Sequence, residues 1–190
     1  MKANLLLIAA TFILALSACN KISESIQRDV IIKQDSLLFS IPPMSLSTPS
    51  ILIDNLPTTV DIRHKIDSAT KGEFSLADLK HVKVSNFSIT YVPKVRDSVD
   101  TKNNFSSISS LMVNLNNGAQ RDSLASYINT GSLDQVSRDL ALTPVMTEEV
   151  LKTYLDKGDL KYSVLIRPRK PTTDTIKAKI SASYTLTLTK

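Results

Sequence analysis

The stretch Ile176–Thr189, IKAKISASYTLTLT, alternates without a break between apolar or small residues and polar ones. Ile176, Ala178, Ile180, Ala182, Tyr184, Leu186 and Leu188 fall in one phase, and Lys177, Lys179, Ser181, Ser183, Thr185, Thr187 and Thr189 in the other. Successive side chains of a β-strand point to opposite faces, so this pattern specifies a strand with one face in a core and one in water. It is the expected spine of an antiparallel sheet.

Working outward, Tyr162, Val164 and Ile166 alternate in the same way, and the loop 168–174 between the two runs predicts a closing hairpin. Residues 30–32 and 37–41 predict one strand with an irregularity near Gln34 and Asp35, ended by Pro42 and Pro43, which cannot donate to a ladder. In HVKVSNFSITYV (81–92), Val82 and Val84 share one phase while Phe87, Ile89 and Tyr91 share the other, the signature of a β-bulge. Residues 111–115 precede Asn116-Asn117-Gly118, which predicts a hairpin with a type I′ turn. The following RDSLASYIN suits either a helix or a strand, and its place after the turn favours a returning strand. Residues 51–53 and 60–62 are two further short strand candidates.

Helical signals are few. Ser75 caps a single predicted turn over residues 74–79. Thr147-Glu148-Glu149 supplies a cap and an acidic first turn, Val150, Leu151, Tyr154 and Leu155 form one face, and Lys157-Gly158 closes the helix. Short strands between turn-rich loops predict an all-β fold: an antiparallel β-sandwich or partly closed barrel, with one short helix near the C-terminal hairpin. A membrane barrel would need at least about eight strands of roughly 9–11 residues, and few runs here are that long.

The start differs in kind. Met1 and Lys2 precede an apolar run from Leu5 to Leu16, broken by Thr11, then Ser17, Ala18 and Cys19. A basic start, an apolar run shorter than the roughly 20 residues of a membrane span, and small residues at the exit describe a secretory signal peptide. Leu16-Ser17-Ala18-Cys19 resembles the lipobox of bacterial lipoproteins. That resemblance implies cleavage before Cys19 and a diacylglyceryl thioether on its sulfur, so that Cys19 is the lipid-attachment residue. It also implies an outer-membrane destination, because Asn20 stands where an inner-membrane retention signal would carry Asp; the periplasmic face is expected rather than the cell surface. The expected organisation is a signal peptide over 1–18, a lipid-anchored tether over 19–28 and one β-rich domain over 29–190.

Composition narrows the chemistry. Cys19 is the sole cysteine, so no disulfide supports the domain, and the roughly 172 residues after the leader are enough for one core. Four glycines, no Trp and 5% aromatic residues disfavour a phosphate-cradling glycine loop and a base-stacking platform, so no nucleic acid is expected. His64 and His81 lie apart without metal-ligand spacing, and neither accompanies a nucleophile-elbow motif, so no metal, cofactor or catalytic set is expected. Glu148 and Glu149 fit a helix N-terminus better than a glycosidase pair.

One polar cluster stands out. Arg167, Arg169 and Lys170, held extended by Pro168 and Pro171, place three cations at the expected hairpin tip, where an anionic lipid or acidic envelope protein would make contact. The expected function is therefore a non-enzymatic structural or protein-interaction role in the cell envelope, with the membrane as a partner through acylated Cys19. The alternative is a periplasmic carrier of an apolar ligand such as a lipid, with Ala178 and Ala182 leaving room inside.

Overall fold

The computed structural model describes residues 26–58, 61–94, 99–130, 138–155 and 160–190. The expected signal peptide, Cys19 and most of the expected tether lie outside these residues. The described chain forms β1 (Gln27–Ile41), β2 (Ile51–Pro57), α1 (Ile62–Thr70), β3 (Leu79–Tyr91), β4 (Ile108–Asn116), β5 (Arg121–Ile128), β6 (Asp139–Ala141), β7 (Thr143–Pro144), α2 (Glu148–Leu155), β8 (Lys161–Pro168) and β9 (Ile176–Thr189). The strands build two antiparallel sheets, ordered β1-β9-β3-β6 and β2-β8-β4-β5-β7. They face each other as an all-β sandwich with a shared apolar core.

β9 is the spine that its alternation specifies. All seven apolar positions are buried, and none of the polar ones is. It lies between β1 and β3, and both neighbours bulge while β9 runs straight: β1 slips between Gln34 and Leu37, and β3 slips between Leu79 and His81 and again between Val84 and Asn86. Each bulge adds a residue to the neighbour and sharpens its twist around the central strand. Both phase irregularities visible in the sequence are thus real features of the sheet.

The closing hairpin is not one. β8 belongs to the five-stranded sheet and β9 to the four-stranded one, so the connection between them arches over the core instead of turning within a sheet. Each strand already has two lateral partners, β2 and β4 for β8, β1 and β3 for β9, which leaves neither an edge to pair with the other. A second crossing lies at Leu142, where the chain passes from β6 to β7 while the Leu142 amide donates to the Phe87 carbonyl at 2.9 Å.

Aromatic side chains tie the layers together. The Phe87 ring of β3 meets the Tyr162 ring of β8 edge to face at 5.9 Å, and the Tyr162 and Tyr184 hydroxyls hydrogen-bond across the sandwich at 2.6 Å. Burial pushes both phenols up, Tyr184 to about 12, so the pair stays neutral.

Three local readings are corrected. The strand expected over 60–62 is not found at its described residues, 61 and 62: Asp61 caps α1 by accepting from the His64 amide at 3.0 Å, and Ile62, Ile66 and Thr70 form its buried stripe. The tether is shorter than expected, because Gln27 and Arg28 already pair with Thr189 and Leu188. The hairpin after β4 is present, but its connection is the four residues 117–120, and Gly118 alone among them has positive φ, at 85°, so the turn is not type I′. The Asn117 side chain instead accepts from the amides of Ala119 and Gln120. The ambiguous RDSLASYIN does return as β5, and Ser75 does cap a single 3₁₀ turn over Leu76–Asp78. The closure of α2 at Lys157 and Gly158 lies outside the described residues.

Candidate functional site

The arch from β8 to β9 meets a second loop, residues 99–107, at the end of the sandwich where β1 finishes. One buried amide joins them. The Asn103 side-chain oxygen accepts from the Thr173 amide at 2.8 Å and the Asp174 amide at 2.9 Å. Its nitrogen donates to Asp100 at 2.9 Å, which fixes the orientation of the amide. Asp100 also accepts from the amides of Lys102 and Asn103, at 2.8 and 3.1 Å. Further along, the Ser107 carbonyl accepts from the amides of Arg169 and Lys170, and the Thr172 hydroxyl accepts from the Met44 amide. A buried polar group left unpaired costs about 1–3 kcal/mol, so this set of satisfied groups holds both loops in one relation.

Between them lies an open depression of about 410 Å³. Thr101, Lys102, Ser106, Ser107, Lys170, Pro171 and Thr173 line it, and none of these residues is acidic. Of the carboxylates nearby, Asp100 is occupied by Asn103 and two amides, and Asp174 pairs with Lys94 at 2.8 Å. The Asn103 side chain, followed by the Lys102 and Asn103 amides, holds the Asp100 carboxyl below its usual value. The lining is thus basic and hydroxyl-bearing, with Ser106 and Ser107 buried and the Thr173 hydroxyl already donating to the Asn103 side-chain oxygen at 3.4 Å.

A pH test of the loop anchor follows. A carboxyl with a depressed folded pKa contributes stability that is fully present above its unfolded value, near 3.9, and is lost as pH falls through the folded value. Denaturant midpoints measured from pH 7 to 3 are expected to fall less steeply for Asp100→Asn than for the parent chain, starting from a lower midpoint at pH 7. Superimposable pH profiles would show that Asp100 does not anchor the loop.

The structure divides the three cations singled out in the sequence. Lys170 joins Lys102 at the depression. Arg169 is half-buried and sits close enough to Tyr127 to oppose the rise that burial imposes on that phenol, whose hydroxyl makes no hydrogen bond among the described residues. Arg167 lies around the corner on the outer face of β8, beside Met112, Ile128 and Leu165 in a separate hollow of about 240 Å³. Lys102 and the four hydroxyls carry no signal of their own in the sequence. The turn-forming run Asp100-Thr-Lys-Asn-Asn104 marks an ordered loop but not its neighbour.

The histidines are placed apart. His64 is exposed on α1, while His81 on β3 meets Glu148 of α2 at 3.0 Å. Desolvation pushes the Glu148 carboxyl up, but the Lys152 hydrogen bond and the nearby His81 outweigh it and hold the group low. Lys152 also donates to the Lys80 carbonyl, and Tyr154 of the same helix donates to Asp122 at 2.7 Å. These contacts fasten α2 to the sandwich. Among the described residues no three His, Cys, Asp or Glu side chains gather as metal ligands, and no helix is long and apolar enough to cross a membrane.

No protein-family model matches the chain, and no curated protein is significantly similar to it. Among solved structures, the acidic stable capsid of Helicobacter pylori bacteriophage KHP30 is similar with a TM-score of 0.35 at 8% identity, covering 85% of this chain and 94% of that one. The cryo-EM structure of Mud crab tombus-like virus gives 0.28 at 12% identity, over 93% and 98% of the two chains. The three-dimensional structure of Cocksfoot mottle virus gives 0.27 at 10% identity, over 90% and 88%. Similarities this weak carry no argument about function.

Proposed function

We propose that this chain is a lipid-anchored cell-envelope protein, held through Cys19 in the outer membrane on its periplasmic side, with a non-enzymatic structural or protein-interaction role. The leader and the exit Leu16-Ser17-Ala18-Cys19 support the anchor. The interaction role is supported by one observation, the filling of the interior. Ala178 lies in register between Phe39 and Tyr91, and Ala182 lies beside Phe87, so large rings on adjacent strands occupy the room that the alanines leave. A carrier of an apolar ligand would need that room. Surfaces are then where the domain acts.

Intact mass of the protein purified from its native membrane, with lipids extracted from the same sample, tests both parts. The expected mass begins at Cys19 and includes acyl chains, with no stoichiometric apolar ligand. An unmodified Cys19 would remove the anchor; a bound lipid at one per chain would restore the carrier.

A further inference from the structure

Four strands bound the two sheets, β1 and β6 in one, β2 and β7 in the other. β6 and β7 are three and two residues long, and β2 slips in register between Ile53 and Leu56, with Asn55 at a φ of 57°. β1 is different. It runs in unbroken register with β9 from Gln27 to Gln34, and among the described residues no strand pairs its other side. Such an edge presents a row of unpaired amides and carbonyls, a template for another strand. Its bulge comes only after Gln34, and Ile31, in the middle of the open stretch, is 65% exposed.

The backbone phase of this edge is fixed. The Ile26 carbonyl accepts from the Lys190 amide at 3.1 Å, so the backbone groups of Ile26 face β9. By strand alternation those of Arg28, Val30 and Ile32 do too, while those of Gln27, Asp29, Ile31 and Lys33 face the open side. The side chains divide in the same way: Val30 and Ile32 are buried, and Asp29, Ile31 and Lys33 are exposed on the outer face of the sheet.

A second copy that pairs antiparallel with this edge is related to the first by a twofold axis. To match outward backbone groups with outward ones, the axis must pass through a residue rather than between two. Axes at Asp29 or Lys33 set like charges directly opposite each other, which is destabilising. Axes at Val30 or Ile32 set the exposed Ile31 against Asp29 or Lys33. The axis at Ile31 sets Ile31 against its own copy and Asp29 against Lys33 on both sides, and the three pairs exchange about six backbone hydrogen bonds.

We propose that this chain self-associates through β1, in antiparallel register about a twofold axis at Ile31, so that two four-stranded sheets become one. The bulge after Gln34 ends the pairing. The partner is a second copy of this chain, and the inference goes beyond the function proposed above and holds whether or not Cys19 carries lipid. An interface of this size falls at or below the roughly 1,200 Å² of stable complexes, so micromolar or weaker association is expected in solution.

The test uses residues 19–190 with Cys19→Ser, which leaves no cysteine. Opposed residues in such a pair have Cα atoms about 5.5 Å apart, within the roughly 4.4–6.8 Å that a disulfide spans. Under mild oxidation Ile31→Cys is expected to form a covalent dimer. Leu38→Cys, on the same strand and 67% exposed, is the control. Its two copies would lie about 45 Å apart at roughly 3.3 Å per residue, and cross-linking at least about tenfold slower is expected.

Sedimentation equilibrium of the variants with Ile31 intact gives an independent reading. Asp29→Lys is expected to raise the dissociation constant about tenfold, and the exchange Asp29→Lys, Lys33→Asp to bring it back within about threefold of the parent. Asp29 also accepts from the Thr187 hydroxyl at 2.7 Å, and both variants lose that contact, so recovery by the exchange reports the pairing between copies. Equal cross-linking at positions 31 and 38, no self-association of the parent up to millimolar concentration, or an exchange no better than the single change would each overturn the proposal.

Discussion

A single alanine inserted between Ala182 and Ser183 will leave the chain without a folded domain. Side chains on a strand alternate with a period of two, so the insertion turns Tyr184, Leu186 and Leu188 outward and brings Ser183, Thr185 and Thr187 into the core. Burying one large apolar side chain contributes about 1.5–3 kcal/mol, so the three lost residues account for roughly 5–9 kcal/mol. Three buried hydroxyls without partners add about 1–3 kcal/mol each. Those losses match or exceed the roughly 5–15 kcal/mol that separates folded from unfolded domains. The alternative, holding the inner face in place, requires a bulge in a strand paired on both sides, against neighbours that already bulge opposite the same region. The same insertion in the connection 117–120 should be tolerated, because those residues join two strands on the surface. Far-UV circular dichroism and a urea titration of both variants provide the check. A cooperative transition near the parent midpoint for the β9 insertion would refute this account of the spine.

Phe87→Ala is expected to cost about 3–5 kcal/mol. The ring is 1% exposed, stands edge to face on Tyr162, and lies in register beside Ala182, the smallest inward residue nearby. Ala182 is too short to reach into the space, so the loss combines transfer of the ring with a cavity. Phe87→Leu, which keeps part of the volume, should recover much of the stability. Leu38→Ala provides the contrast: that side chain is 67% exposed, and its removal should stay within about 0.5 kcal/mol. Urea midpoints at unchanged slope give the comparison. A Phe87→Ala loss under about 1.5 kcal/mol would mean that the core relaxes around the gap, and the argument against an internal ligand would weaken with it.

What could be read from the sequence follows how locally each feature is encoded. β9 declares itself because one face is core and the other water, and β1 and β3 show their bulges as breaks in phase. The strand expected at 60–62 fails because three alternating residues also fit a helix start: Asp61 followed by Ile62 and Ile66 is a cap and a stripe, legible only over nine residues. Whether residues 168–175 turn within a sheet or arch between two depends on the partners of β8 and β9, some of them more than 100 residues upstream. The basic site divides the same way. Arg167, Arg169 and Lys170 lie within four positions and are visible, yet Arg167 falls on another face, while Lys102 joins Lys170 only because Asn103 bonds the backbone of residues about 70 positions later.

The central place of β9 sets a timetable for the newborn chain. β1 and β3 are made before β9, the strand that must lie between them and the last of those described to leave the ribosome, and the pairing of Gln27 with Thr189 joins residues about 160 positions apart. Until then the four-stranded sheet lacks its middle, and such distant pairings are slow to form. That delay is written into the strand order, which keeps the four-stranded sheet open until β9 has been made.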